Sequence, residues 1–324
     1  MDNLPPELES MVLSNLEAQD LVRYAKTSRL AFERVSDFIY RRYSVCRLLR
    51  KFFKTEEGYR RFREVQRRFG VLVSGSQVTG LFVNGVDLFK DSDLDVYVSV
   101  KGEKGLEAAL EEAGYKLFID LTKHGDVSQM EDSELLLAML TDQMILRTKY
   151  VDSVIASVKE YHNEDGKVIQ VIASHGPPMD IILGFHSSCV MNVIGYNFAY
   201  CLYPFATVCA KKSVVHIGSD MNSIRAREKW QNRGWEMVKE STSSRHLDLR
   251  TVNRFVGDRY CWRFPCERRL ELSDISTNEA TRAVDVLGGH SWQLLYPHDA
   301  DEGFYAIYAW LMFPSFGSCA SWRP

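Results

Sequence analysis

The sequence predicts an α+β fold: a mixed sheet flanked by helices, preceded by a small all-helical module. Three observations carry this. Up to Tyr43, apolar residues recur at helical spacing. Two later runs, 94–100 (LDVYVSV) and 168–172 (VIQVI), have the β-branched content of buried strands. Around those runs lie segments of helical spacing ending at glycines.

In chain order, Pro5 and Pro6 stand where proline suits a helix start. Leu8, Met11 and Val12 follow at helical spacing, then Leu21, Val22 and Ala25. Ser28 is the expected N-cap of a third helix with Phe32, Val35, Phe38 and Ile39 on one side. A unit this small buries too little surface to stand alone, so it needs a partner or the next domain. Arg60, Arg61, Arg63, Arg67 and Arg68 then interleave with Tyr59, Phe62, Val65 and Phe69, and Gly70 caps the segment. Such a stripe suits nucleic acid, or simply a solvated helix face over an apolar one.

An apolar run, 71–73, ends at Ser74-Gly75-Ser76 and a helix continues through Leu81, Phe82 and Val83. The strand 94–100 is followed by a helix over 106–113. A strand at 168–172 lies between Gly166 and His175-Gly176-Pro177-Pro178. Beyond Asp180 the pattern reads as helical to about Ala210, including the apolar stretch 189–209, whose polar residues and Pro204 argue against a membrane span. Segments 235–239 and 260–264 are weaker strand candidates, and the aromatic C-terminal stretch has no clear period. The resulting division is a helical module at 1–50, a basic helical linker at 51–69, a core at 70–215 and an extension of open fold at 216–324.

The chain has 324 residues, 45% hydrophobic and 26% charged, with a formal net charge of -3. That is ordinary for a globular protein, and bulk charge indicates no nucleic-acid partner. Seven cysteines without a C-x-x-C pair suit reduced thiols in an intracellular protein, cytoplasmic or nuclear. Cys261, Cys266 and His246 fit no common zinc-finger spacing. The start, MDNLPPELES, lacks the basic and apolar regions of a secretory signal.

The segment richest in chemistry is Gly75-Ser76 followed by Asp93-Leu94-Asp95-Val96. Side chains two apart on a strand share a face, so Asp93 and Asp95 can aim two carboxylates at one point, as divalent cations require. The glycine-serine turn opens a helix whose free N–H groups can hold a phosphate. This pattern resembles the nucleotidyltransferase superfamily of DNA polymerase beta and the poly(A) polymerases, over residues 70–183. The resemblance implies Mg²⁺ held by Asp93 and Asp95, and a nucleotide phosphate cradled by Gly75 and Ser76. It also implies a third carboxylate on a later strand, where this chain has Gln170, an uncharged amide and a poor base. Asp180 and Asp91 are the remaining candidates, one at a helix start and one in a loop. On this alignment the carboxylate triad is incomplete.

Leu4-Pro5-Pro6-Glu7-Leu8, Val12-Leu13, Leu16, Asp20-Leu21 and Ser28 resemble an F-box. That implies docking on the Skp adaptor of SCF-type ubiquitin ligases through Leu4, Pro5, Leu8, Val12, Leu16 and Leu21. The alternative is a helical cap on the core. Together with S-G-S, D-S-D-L-D, Ile169-Gln170-Val171-Ile172, the segment 185–192 (FHSSCVMN) and Lys229-Trp230 with Arg233-Gly234-Trp235, the chain is similar to fungal proteins with a nucleotidyltransferase-like core. His186 suits either a phosphate contact or a buried helix start. Lys229, Arg233 and the tryptophans suit either a nucleotide clamp or helix packing through Trp230. The leading expectation is an F-box-type adaptor whose degenerate core, a pseudoenzyme, serves in recognition or nucleotide binding. The alternatives are an active Mg²⁺-dependent nucleotidyltransferase using Asp93 and Asp95, and an interaction protein with neither activity.

Overall fold

A computed structural model of the chain describes residues 4–16, 18–84, 89, 91–120, 154–215, 221–238, 249, 253–267, 287–288, 290–295 and 306–311. It has a mixed α+β architecture built on an eight-stranded sheet.

The chain begins with α1 (Pro6–Ser14), α2 (Ala18–Ala25) and α3 (Arg29–Arg42). Pro6 occupies the first turn of α1, where its missing N–H costs nothing. Ser28 caps α3 by accepting from the Ala31 amide, a bond of about 1 kcal/mol in such caps. Leu13, Leu21, Val35 and Phe38 form a small core of their own, with Leu16 and Ile39 packed against it. Phe32, expected on that inward side, is exposed. A side salt bridge from Arg34 to Glu9, 3.1 Å long, ties α3 to α1.

Helices α4 (Val45–Leu49) and α5 (Glu56–Phe69) follow, capped by Ser44 and Thr55. Where a basic linker was expected at 51–69, α5 is part of the core: Phe62 and Val65 pack with Phe52, Phe53 and the sheet. Its arginines divide by position. Arg60 and Arg61 make exposed ion pairs with Glu57, Glu64 and Glu112. Arg63 is buried and donates to the Gly195 and Tyr196 carbonyls, fastening α5 to a turn of the sheet. Gly70, at φ +64°, ends the helix in a left-handed conformation that glycine adopts without strain.

The sheet comprises β1 (Leu72–Ser74), β2 (Leu94–Ser99), β3 (Lys116–Asp120), β4 (Ile155–His162), β5 (Val168–Ser174), β6 (Asn192–Ile194), β7 (Phe198–Cys201) and β11 (Trp262–Pro265). Their spatial order is β11-β7-β6-β1-β2-β5-β4-β3. Only the β2–β5 pair is parallel, so the two strands predicted from sequence are central neighbours. The segment 216–324, an extension whose fold the sequence left open, supplies β11 to the sheet edge by pairing with β7.

Alternation on the central strands separates two cores. Val73, Leu94, Val96, Val98, Ile169 and Val171 face α4, α5 and α7 (Val100–Glu112). Leu72, Tyr97 and Ile172 face the opposite side, with α8 (Pro178–Leu183) and Trp230 of α9 (Met221–Asn232). The helix expected from Asp180 to about Ala210 is not formed. After α8 the chain makes a short turn, Ser188–Val190, then β6 and β7. The reason is that a short apolar run buried on both faces has no period to distinguish strand from helix. Strands β8 (Lys212–Val214) and β9 (Glu236–Val238) form a small parallel pair, and β10 (Asn253–Phe255), β12 (His290–Leu295) and β13 (Ala306–Leu311) a three-stranded antiparallel sheet. No described helix is long and apolar enough to cross a membrane.

Candidate functional site

Strand β1 turns into α6 (Gly75–Asn84) at Gly75, whose φ of +77° an L side chain would strain. The first turn of α6 therefore starts directly at the end of interior strand β1, with amide groups that lack intrahelical acceptors. Gln77, one residue on from Ser76, donates to the carbonyls of Phe89 and Ser92. Those two bonds hold the approach to β2 against the helix start. Beneath α6, Asn192 donates to Thr79 Oγ1 and to the Cys189 carbonyl, at 2.9 and 2.7 Å. Ser188 accepts from the Val214 amide, and Ser213 from that of Cys189. The segment 185–192 is thus a scaffold under the cradle, with His186 half-buried at its start.

The strand registers place a polar row across one face of the sheet. Ser74 pairs with Asp95, Asp95 with Gln170, and Gln170 with Glu160. Paired residues on neighbouring strands share a face, here the Tyr97 and Ile172 side. Asp95 is 3% exposed, Gln170 1% and Glu160 3%. Asp93 lies two residues before Asp95 and is half-buried, at the entrance to the strand. Asp95 pairs with Ser74 at the end of β1, next to Gly75 and Ser76 at the start of α6, and Asp93 immediately precedes β2.

Gln170 stands beside Asp95, as the sequence alignment anticipated, and its Oε1 is buried without a hydrogen-bond partner. An unmet acceptor of this kind costs about 1–3 kcal/mol. Glu160 was not singled out from the sequence; it sits in a segment with no alternation that marks it. It reaches His162 Nε2 at 2.5 Å, and the His162 ring stacks on Phe118. Asp91 is exposed in the turn before β2. Asp180, in the first turn of α8, has its carboxyl pKa raised by burial, with His290 opposing the shift.

Two cations from α9 and its end complete the site. Arg233 Nη1 donates to Ser76 Oγ at 3.0 Å, and its guanidinium lies over the rings of Phe89 and Trp230, 4.2 and 4.9 Å from their centroids. Burial lowers its pKa. Lys229, one helical turn earlier, has its pKa brought down to about 8, by burial first and then by Arg233, while Asp95 and Asp93 pull the other way. Both readings of this segment have a place: Trp230 is buried against Trp235 and Phe89, whereas Lys229 and Arg233 face the acids and the cradle. Gly75, Ser76, Asp93 and Asp95 are brought together; Asp91 and Asp180 lie on other segments.

A helix start, a serine hydroxyl and a guanidinium suit a phosphate-sized anion. The residues fit a carboxylate-clamped Mg²⁺ poorly. The third place is an amide, a lysine stands at the acid pair, and among the described residues no three His, Cys, Asp or Glu side chains converge to hold a metal ion. Of the zinc candidates, His246 lies outside the described residues.

The predicted partner face divides as well. Leu4, Pro5, Leu8 and Val12 are exposed on or beside α1, together with Met11. Leu21 is in the core of the module and Leu16 packs against it.

No protein-family model matches the chain, and no curated protein does. Among solved structures, the apo form of a CCA-adding enzyme is similar over 63% of this chain and 44% of its own, at 14% identity and a TM-score of 0.35. The chain thus spans less than half of that enzyme, and a likeness at this level carries no argument about site or activity.

Proposed function

We propose that the core has a nucleotidyltransferase-like fold and binds a phosphate-bearing ligand, a nucleotide in the first instance, without transferring it. The observation that carries this is Gln170 in register beside Asp95: the strand position expected to supply a third carboxylate presents an amide. Without that charge a two-cation clamp is incomplete, and the amide that stands in its place is a poor base. The anion cradle is nevertheless intact, since Ser76 is held by Arg233 and the loop before β2 by Gln77.

The helical module completes the reading as an F-box-type adaptor. Its exposed Leu8, Met11 and Val12 on α1, with Leu4 and Pro5 just before that helix, offer apolar side chains of the kind that lie in a partner groove such as that of a Skp-type adaptor. In this reading, the core recognises a ligand while the module connects it to a ubiquitin ligase.

The test of the core uses the full chain. ATP should raise its melting temperature, since a ligand that binds only the folded state stabilises it, while radiolabelled nucleotide is not transferred to any acceptor. Magnesium-dependent transfer that disappears in Asp93→Ala would instead establish an active nucleotidyltransferase.

A further inference from the structure

Lys229 on α9 comes near the acid pair of this site. Lys229 and Arg233 are four residues apart, the spacing that places side chains on one face of a helix, and Arg233 is fixed by its bond to Ser76 at the start of α6. The Lys229 ammonium is within electrostatic reach of both Asp93 and Asp95. The loop carrying Asp93 is held in place by Gln77, and the face beneath Phe89 by Trp230 and Arg233. Lys229 thus serves the carboxylates while Arg233 is fixed at the cradle, and the two cations share one helix face. A dication added to this set would be repelled by both, whereas a phosphate would meet Arg233, Ser76 and the helix start. A buried, unpartnered acceptor on the same sheet face, Gln170 Oε1, gives the ligand a further place to donate a hydrogen bond, as a sugar hydroxyl would.

We propose that Lys229 takes the place of a divalent metal at Asp93 and Asp95, so that the site binds a phosphate-bearing ligand with hydroxyl donors, such as a nucleoside phosphate, independently of metal. This rests on the binding function proposed above for the core, and it adds two ligand-binding residues, Lys229 and Arg233, to the cradle.

The two carboxylates make opposite predictions under the two chemistries. In a metal clamp, losing one acid abolishes nucleotide binding. Around a built-in lysine, losing one acid removes repulsion from the phosphate. Full-length protein is titrated with ATP by calorimetry, once in EDTA and once in MgCl₂. The wild type is expected to bind in EDTA, with an affinity that magnesium changes by no more than about twofold. Asp93→Asn should bind ATP in EDTA more tightly than the wild type, and Lys229→Met about tenfold more weakly. ATP binding that needs magnesium and is lost in Asp93→Asn overturns the proposal.

A second measurement needs no nucleotide. MnCl₂ alone should leave the melting temperature of the wild type unchanged and raise that of Lys229→Met, whose acids are then free to take the ion. Lys229→Gln serves if the methionine variant does not fold. A wild type stabilised by Mn²⁺, or lysine variants that gain no response to it, overturns the proposal whether or not ATP binds. Absence of ATP binding under every condition, with the manganese response as expected, removes the binding role of the core and leaves the lysine–carboxylate arrangement standing.

Discussion

At the scale of single residues, the chemistry of the core turns on position 170. Gln170 is almost wholly buried beside Asp95, and one atom of difference decides its charge. Gln170→Glu should place a third acid in the row with one lysine to serve it. Without metal the variant is expected to lose about 3 kcal/mol, the cost of a buried charge without its own partner, and MnCl₂ should recover much of that loss. Melting curves with and without the ion measure both effects. The cysteines give a separate residue-scale prediction. Burial pushes the Cys189 thiol up to about 11 and that of Cys261 to about 12. At pH 8 both remain protonated, and only the thiolate attacks an alkylating agent. Exposed Cys209 should therefore react with iodoacetamide well before them, as peptide mass spectrometry of briefly treated native protein would show.

At the scale of elements, the site depends on two helices meeting the sheet at fixed distances. On one side α5 packs on α7 through glycines. A Cβ at Gly102 would lie 2.7 Å from Phe69 Cβ, close to the backbone of α5, whereas one at Gly105 would meet the far edge of the same ring. Gly102→Ala is accordingly expected to cost about 1–3 kcal/mol by forcing the helices apart. Gly105→Ala should cost less, because the ring end can swing. Urea denaturation of the two variants gives the comparison, and equal losses would mean the ring is as fixed as the backbone. Helix α6, in the same core through Val78, Leu81 and Phe82, is held by Asn192 through Thr79. These polar anchors give the segment 185–192 a structural role: it holds the cradle at its position on the sheet.

At the scale of the whole molecule, the module and the core differ in what a substitution can reach. Leu8 is 48% exposed, so Leu8→Asp should leave the melting temperature nearly unchanged and abolish capture by a Skp-type adaptor. Leu21 lies within the four-residue core of the module, and Leu21→Ala should cost about 2–3 kcal/mol and loosen the three helices. A pull-down and circular dichroism on the same pair separate the docking face from its support. The core is the larger body because helices from the N-terminal third and a strand from the C-terminal third both close on it.

How much of this was legible in the sequence follows from range. Local rules determined the three N-terminal helices, the Ser28 cap, the Gly70 stop and strands within a residue or two of those expected at 94–100 and 168–172, because capping, left-handed glycine and alternation act within a few residues. The short strands β6 and β7 were hidden, since burial on both faces erases the alternation that marks a strand. Tertiary structure alone decided the rest: that β2 and β5 are parallel neighbours, so Gln170 stands beside Asp95; that Glu160 joins their row; and that Lys229 and Arg233 return from more than a hundred residues away to the acids and to Ser76. Contacts between distant segments are fixed by how the two cores fill on either side of the sheet, and no spacing along the chain encodes them.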